Sequence, residues 1–160
     1  MTLSKLIATQ IKQWFPAPPV HAHCDGPCGV YDPASARIAA EAVLSMTKKI
    51  LDLQPPIGND AQVMAAYQNT MSRYIQIKEE QAQITKKELL ILWTDYFKPV
   101  HLEQFPDLHD KFWKAAKLCS ACKVEVSLSH ANELMAAIKE IQEIFWTTKN
   151  RTDVSWYTAS

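Results

Sequence analysis

The sequence predicts an all-α chain, an antiparallel four-helix bundle with a short loop ahead of its first long helix. Three observations carry this expectation. Only 3 glycines stand in 160 residues, against an abundance of Ala, Leu, Ile, Lys, Glu and Gln, a balance that favours helix over sheet. Apolar residues recur at spacings of three and four along four long segments. The segments are separated by proline-containing breaks and capping residues, so the connections are short and neighbouring helices run antiparallel.

The elements follow in order. Leu3, Leu6, Ile7, Ile11, Trp14 and Phe15 fall on one helical face, and Pro16, Pro18 and Pro19 then enforce an extended linker. Residues 1–22 therefore read as a removable leader, ending at a boundary of the kind a peptidase could cut. Asp32-Pro33 opens a helix from Pro33 to about Leu53, which "QPPIGN" ends. Asn59 or Asp60 caps the next helix, whose pattern (Val63, Tyr67, Met71, Tyr74, Ile77, Ile84, Leu89, Leu92, Trp93, Phe97) continues to Pro99. At ~38 residues and 1.5 Å per residue it spans roughly 57 Å, long enough to require a kink or an overhang. Pro106-Asp107 opens a third helix with Leu108, Phe112, Ala115, Ala116 and Cys119 on one face. The fourth, from about Ser127 to Lys149, places Leu128, Leu134, Ile138, Ile141, Ile144 and Phe145 near the core. Residues 23–149 form the domain, and residues 150–160 lack any period and read as a loose tail.

Composition excludes several function classes. Seventeen basic and seventeen acidic side chains cancel, leaving no global field for nucleic acid or an anionic membrane. The apolar stretches are far shorter than the ~20 residues of a membrane span. The leader's apolar residues are interrupted by Thr9, Gln10, Lys12 and Gln13, unlike a secretory signal. The expected compartment is the cytoplasm, where close cysteine pairs are more often metal-binding or redox-active than structural.

The chemistry concentrates in "HAHCDGPCGVYDP", residues 21 to 33, which sets His23, Cys24 and Cys28 within six positions. The spacing fits neither a structural zinc site, which gathers four ligands from separated loops, nor the Cys-x-x-Cys of thioredoxin-like enzymes. Consecutive His-Cys can instead chelate one ion in a plane through side chains and the backbone nitrogens between them, a geometry for Ni(II) or Cu(II). An exposed accidental pair or a reversible disulfide is the alternative at this point. Cleavage before His23 would free its amine as a further nitrogen ligand.

From His23 to about Lys149 the chain resembles the nickel superoxide dismutase family, on "HCDGPCGVYDP", "LWTDYFKPVHLEQFPDLH" (92 to 109) and "IFWTTK" (144 to 149). The resemblance implies a homohexamer of four-helix bundles with one nickel per chain. The ion would be bound by the amine and imidazole of His23, the thiolate and amide nitrogen of Cys24, and the thiolate of Cys28. The imidazole would be axial and bound only in the oxidised state. It implies dismutation of superoxide to oxygen and hydrogen peroxide by Ni(III)/Ni(II) cycling, after a leader-processing peptidase has cut behind Ala22. Tyr31 and Tyr96 would stand at the mouth of the site, Asp25 would hold the hook, Gly26-Pro27 would be cis, and Lys98 would attract the anion. Helix-packing tyrosines, a turn carboxylate and a solvated lysine are the plain readings of the same residues.

The chain departs from the family where Ala39 and Gln81 replace a glutamate and an arginine that orient the axial imidazole; Gln81 or a water is expected to take over, with a weaker or differently tuned axial bond. Cys119 and Cys122 in "KLCSACK" read first as buried small apolar residues and second as an accessory metal or redox pair. His101 and His109 read as structural. A nickel or copper trafficking protein without turnover is the competing function, and a purely structural bundle leaves the hook unexplained.

Overall fold

Asp32 starts the first helix of the structure, a computed structural model that describes residues 29–159. Its Oδ1 accepts the Ala34 N–H at 2.8 Å, and α1 runs over Ala34–Asp52, one residue inside the expected bounds. Asp60 caps α2 (Ala61–Ile91), its Oδ1 accepting the N–H groups of Gln62 at 2.8 Å and Val63 at 3.1 Å. The helical path continues through a π-turn, Leu92–Tyr96, before the short α3 (Pro99–Gln104), which the periodicity did not foretell. Proline explains the break: Lys98, the residue before Pro99, is extended at φ −126°, ψ 163°, and Pro99 then occupies a first helical position. Helices α4 (Leu108–Val124) and α5 (Leu128–Thr148) complete the chain, and the Ser127 hydroxyl caps α5 by accepting the His130 N–H at 3.2 Å.

The four long helices close a ring, α1 packing on α2 and α5, and α4 on the same two. Between them lie Ala36, Ala40, Val43, Leu89, Leu108, Phe112, Leu134, Ile138, Ile141 and Phe145, all essentially removed from solvent. Helix α2 has 31 residues against 19, 17 and 21 for its neighbours, and its buried residues all lie at or beyond Lys78, so residues 61–77 overhang the bundle. Val63 and Ile84, expected on the inward face, are exposed, as is Leu128 at the start of α5. The inward seam of α2 is instead Lys78, Ala82, Thr85 and Leu89, at alternating steps of four and three. Two small residues on that seam admit close helix approach, which displaces Ile84 to the outside.

Lys78 is 1% exposed, and its ammonium donates to three carbonyl oxygens at the end of α4: that of Cys122, and those of Lys123 and Glu125 at 3.1 Å each. Carbonyls in a last helical turn lack intrahelical donors and carry the negative end of the helix dipole, so a cation delivered from α2 satisfies both deficits. Burial pulls the Lys78 pKa below its ordinary value, and the charge of Glu79 works the other way.

Cys119 and Cys122 are free, buried thiols on α4. Burial pushes the Cys119 thiol up to about 12, with the neighbouring Cys122 adding to the rise. At pH 8 only about one molecule in ten thousand carries the reactive thiolate there. Iodoacetamide at pH 8 is therefore expected to leave Cys119 unmodified in the folded chain, as read by peptide mass mapping. Stoichiometric labelling before unfolding would contradict its burial.

The tail is not loose. The Arg37 guanidinium, 1% exposed, pairs with Glu41 at 3.4 Å, donates to the Tyr157 carbonyl at 3.1 Å and lies 3.9 Å under the Tyr157 ring. The Ala159 N–H donates to Glu41 Oε1 at 2.6 Å, and Trp156 packs on the core cluster. Non-periodic residues thus acquire order from an ion pair on α1 that a helical-period reading places on a solvated face. Truncation after Lys149 removes two charge-assisted bonds of about 1.5 kcal/mol each, partly replaced by water, for a net loss of about 2 kcal/mol. The expected fall in Tm is about 5 °C, and an unchanged Tm would show the strap to be idle.

Candidate metal centre

The described chain enters at a cavity of about 540 Å³ lined by Gly29, Tyr31, Asp95, Tyr96, Lys98 and His101. Gly29 has φ +65° and no described residue within 4 Å of an added Cβ, and that backbone conformation favours glycine there. Two residues later Tyr31 reaches the aromatic cluster at the end of the bundle, its ring 5.6 Å from that of Tyr96 and tilted by 54°.

Tyr96 is delivered by the π-turn. The Phe97 N–H reaches back to the Leu92 carbonyl at 3.1 Å, and the widened turn re-aims the side chains that follow, a device common at functional sites. The Tyr96 ring packs 4.5 Å from Phe145 and 5.6 Å from His101, nearly parallel to the latter. Its hydroxyl lies 2.7 Å from Thr148 Oγ1, and the Lys149 ammonium sits 5.4 Å from its ring centroid, within cation–π range. His101 Nδ1 accepts the Lys98 N–H at 3.1 Å, which leaves the proton of the neutral ring on Nε2. The cavity wall therefore offers two phenols, one imidazole, the exposed Lys98 ammonium and the Asp95 carboxylate.

The structure brings Tyr31, Tyr96 and Lys98 to this one cavity. His23, Cys24, Asp25, Cys28 and the Gly26-Pro27 bond lie outside the described residues. So does any contact of Gln81 with His23; Ala39 is buried on α1, and Gln81 is half-buried on α2 with its carbonyl accepting from Thr85 Oγ1 at 2.8 Å. His101, read as structural, lines the cavity, while His109 accepts the Trp93 indole N–H at 2.6 Å. Thr148 and Lys149 were missed. Their signal is the "TTK" that ends α5, which meets "DYFKP" only through the antiparallel packing of helices distant in sequence.

The hook, which lies outside the described residues, offers two thiols and an imidazole within six sequence positions, donor types that suit a thiophilic ion. Among the described residues no group of three or more His, Cys, Asp or Glu could hold a metal, and burial keeps Cys119 protonated. In the sequence Cys28 immediately precedes Gly29, the first described residue, which lines the cavity. A family model described as nickel-containing superoxide dismutase matches residues 18–149. The chain belongs to that family. It is 40% identical over 149 residues to the nickel superoxide dismutase of Streptomyces seoulensis, covering 92% of this chain and 98% of that protein. It is 40% identical over 147 residues to that of Streptomyces coelicolor, with the same coverage. A native nickel superoxide dismutase structure superposes with a TM-score of 0.68 at 37% identity, covering 81% of this chain and all of that one. The chain is thus an oxidoreductase acting on superoxide, with nickel as its cofactor. The family match ends at residue 149, so the strap over Arg37 and Glu41 lies outside it. Among the described residues, no helix is long and apolar enough to cross a membrane.

Proposed function

We propose that nickel is held by the amine and imidazole of His23, the thiolate and amide nitrogen of Cys24 and the thiolate of Cys28, in a chain cut before His23. Bound there, nickel supplies a one-electron couple, Ni(III)/Ni(II), poised between oxidation and reduction of superoxide. The chain's own residues do the rest. Tyr31 and Tyr96 narrow the approach to species of a few atoms, which protects oxidisable thiolates. Asp25 steadies the hook, and Lys98 raises the local concentration of a monoanion on a chain whose net charge is zero. The observation that carries this reading is the pair of tyrosine rings 5.6 Å apart beside Lys98, in the cavity that Gly29 enters. A homohexamer belongs to the same reading, supported by exposed Val30, Ile38, Val63 and Ile75. So do a leader-processing peptidase and a cytoplasmic location, the location supported by the free thiols of α4.

A carrier that binds nickel or copper without turnover is the competing reading. Superoxide decay followed after pulse radiolysis separates the two: turnover with nickel and none with copper or zinc is expected. Nickel binding at one ion per chain without turnover would replace the enzyme reading with the carrier.

A further inference from the structure

Thr148 sits at the last position of α5, where helix ends leave carbonyls without donors. The carbonyls of Trp146 and Thr147 are served by backbone: Trp146 accepts from the N–H of Lys149 at 3.1 Å and of Arg151 at 2.9 Å, and Thr147 from that of Asn150 at 2.9 Å. The Lys149 N–H does not reach Phe145, and the Thr148 hydroxyl takes its place, donating to the Phe145 carbonyl at 2.7 Å. A hydroxyl has one proton. Since Thr148 has spent its proton on a carbonyl that can only accept, the 2.7 Å contact between Tyr96 and Thr148 has one polarity: the phenol donates.

We infer that Thr148 is a positioning residue that fixes the Tyr96 proton on the helix side, so that Tyr96 acts toward the cavity only as an acceptor. This rests on the reading of Tyr96 as a residue of the cavity mouth. Superoxide, an anion without a proton, receives no hydrogen bond from Tyr96; a water molecule that donates to the Tyr96 oxygen can turn its other hydrogen to the anion. Reduction of superoxide to hydrogen peroxide consumes one electron and two protons, and those protons come from solvent rather than from the Tyr96 phenol. The ring contacts to His101 and Phe145 and the Lys149 ammonium hold the phenol in place without altering this polarity.

Neutron diffraction from deuterated crystals of the nickel-loaded protein reads the assignment directly. The expected map shows the Tyr96 deuteron between its oxygen and Thr148 Oγ1, and the Thr148 deuteron directed at the Phe145 carbonyl. A Thr148 deuteron on Tyr96, or a Tyr96 deuteron aimed into the cavity, overturns the inference. In solution the slowly exchanging Tyr96 hydroxyl proton is expected in the unchanged protein and in Thr148→Ser, and lost in Thr148→Val. Persistence in the valine variant, with Tm confirming that it is folded, would also overturn it. Tyr96→Phe is expected to leave the solvent deuterium isotope effect on turnover unchanged, and a loss of that effect would make the phenol a proton donor after all. If Tyr96→Phe is kinetically silent while the deuteron still points to Thr148, the gate fails and the proton assignment stands.

Discussion

Serine in place of Cys24 or Cys28 is expected to reduce superoxide turnover to the uncatalysed background and nickel content to well under one ion per chain. In the proposed centre each thiolate is a ligand, and a serine hydroxyl remains protonated at neutral pH, so each substitution would remove an anionic sulfur donor and the charge it would lend to the oxidised metal. The rest of the chain is indifferent to the change. The core of Ala36, Val43, Leu89, Leu108, Phe112, Ile138 and Phe145 lies among the described residues beyond the hook, so the metal-free variants should melt with the metal-free parent. Nickel by elemental analysis, superoxide decay and Tm together check the expectation. Full nickel content in either variant would remove that cysteine from the ligand set.

Lys78→Met is expected to produce the largest loss of stability outside the hook. Methionine approximates the length and the buried stem, so no large cavity opens and the effect isolates the ammonium. Its removal leaves the carbonyls of Cys122, Lys123 and Glu125 without their donor at the end of α4. A buried group stripped of its partner costs about 1–3 kcal/mol, and water reaches some of the three from the exposed side of Glu125. A net loss of about 3 kcal/mol corresponds to a Tm about 6–12 °C lower in a chain of this size. Since α4 meets α2 here, the amides of its last turn should also exchange faster with solvent. A Tm within one or two degrees of the parent would mean that the desolvation of the ammonium nearly cancels its three bonds.

The fold was legible because the apolar period and the caps agree: Asp32, Asp60 and Ser127 each accept an N–H of the helix they precede. Where small or polar residues face inward, the period misleads. Lys78, Ala82 and Thr85 form the seam of α2 while Ile84 faces out, because approach distance and carbonyl satisfaction outweigh hydropathy at that contact. The π-turn left no apolar signature, although the proline at 99 marks its end. The tail escaped for a different reason: its order depends on Arg37 and Glu41, which are 120 and 118 positions away from Tyr157 and Ala159. At the site, Tyr31, Tyr96 and Lys98 were singled out inside their motifs; Thr148 and Lys149 also stand in one, "IFWTTK", but their contacts with Tyr96 arise only through the packing of α5 against the π-turn.

The most direct measurement compares the chain beginning at His23 with the full chain, each reconstituted with nickel and assayed for superoxide dismutation. The amine of His23 exists only in the cut chain, so activity confined to that form, at about one nickel per chain, is the predicted result. Equal activity in the uncut chain would contradict the amine ligand, and nickel-loaded but inactive cut protein would contradict the assignment of turnover to this hook.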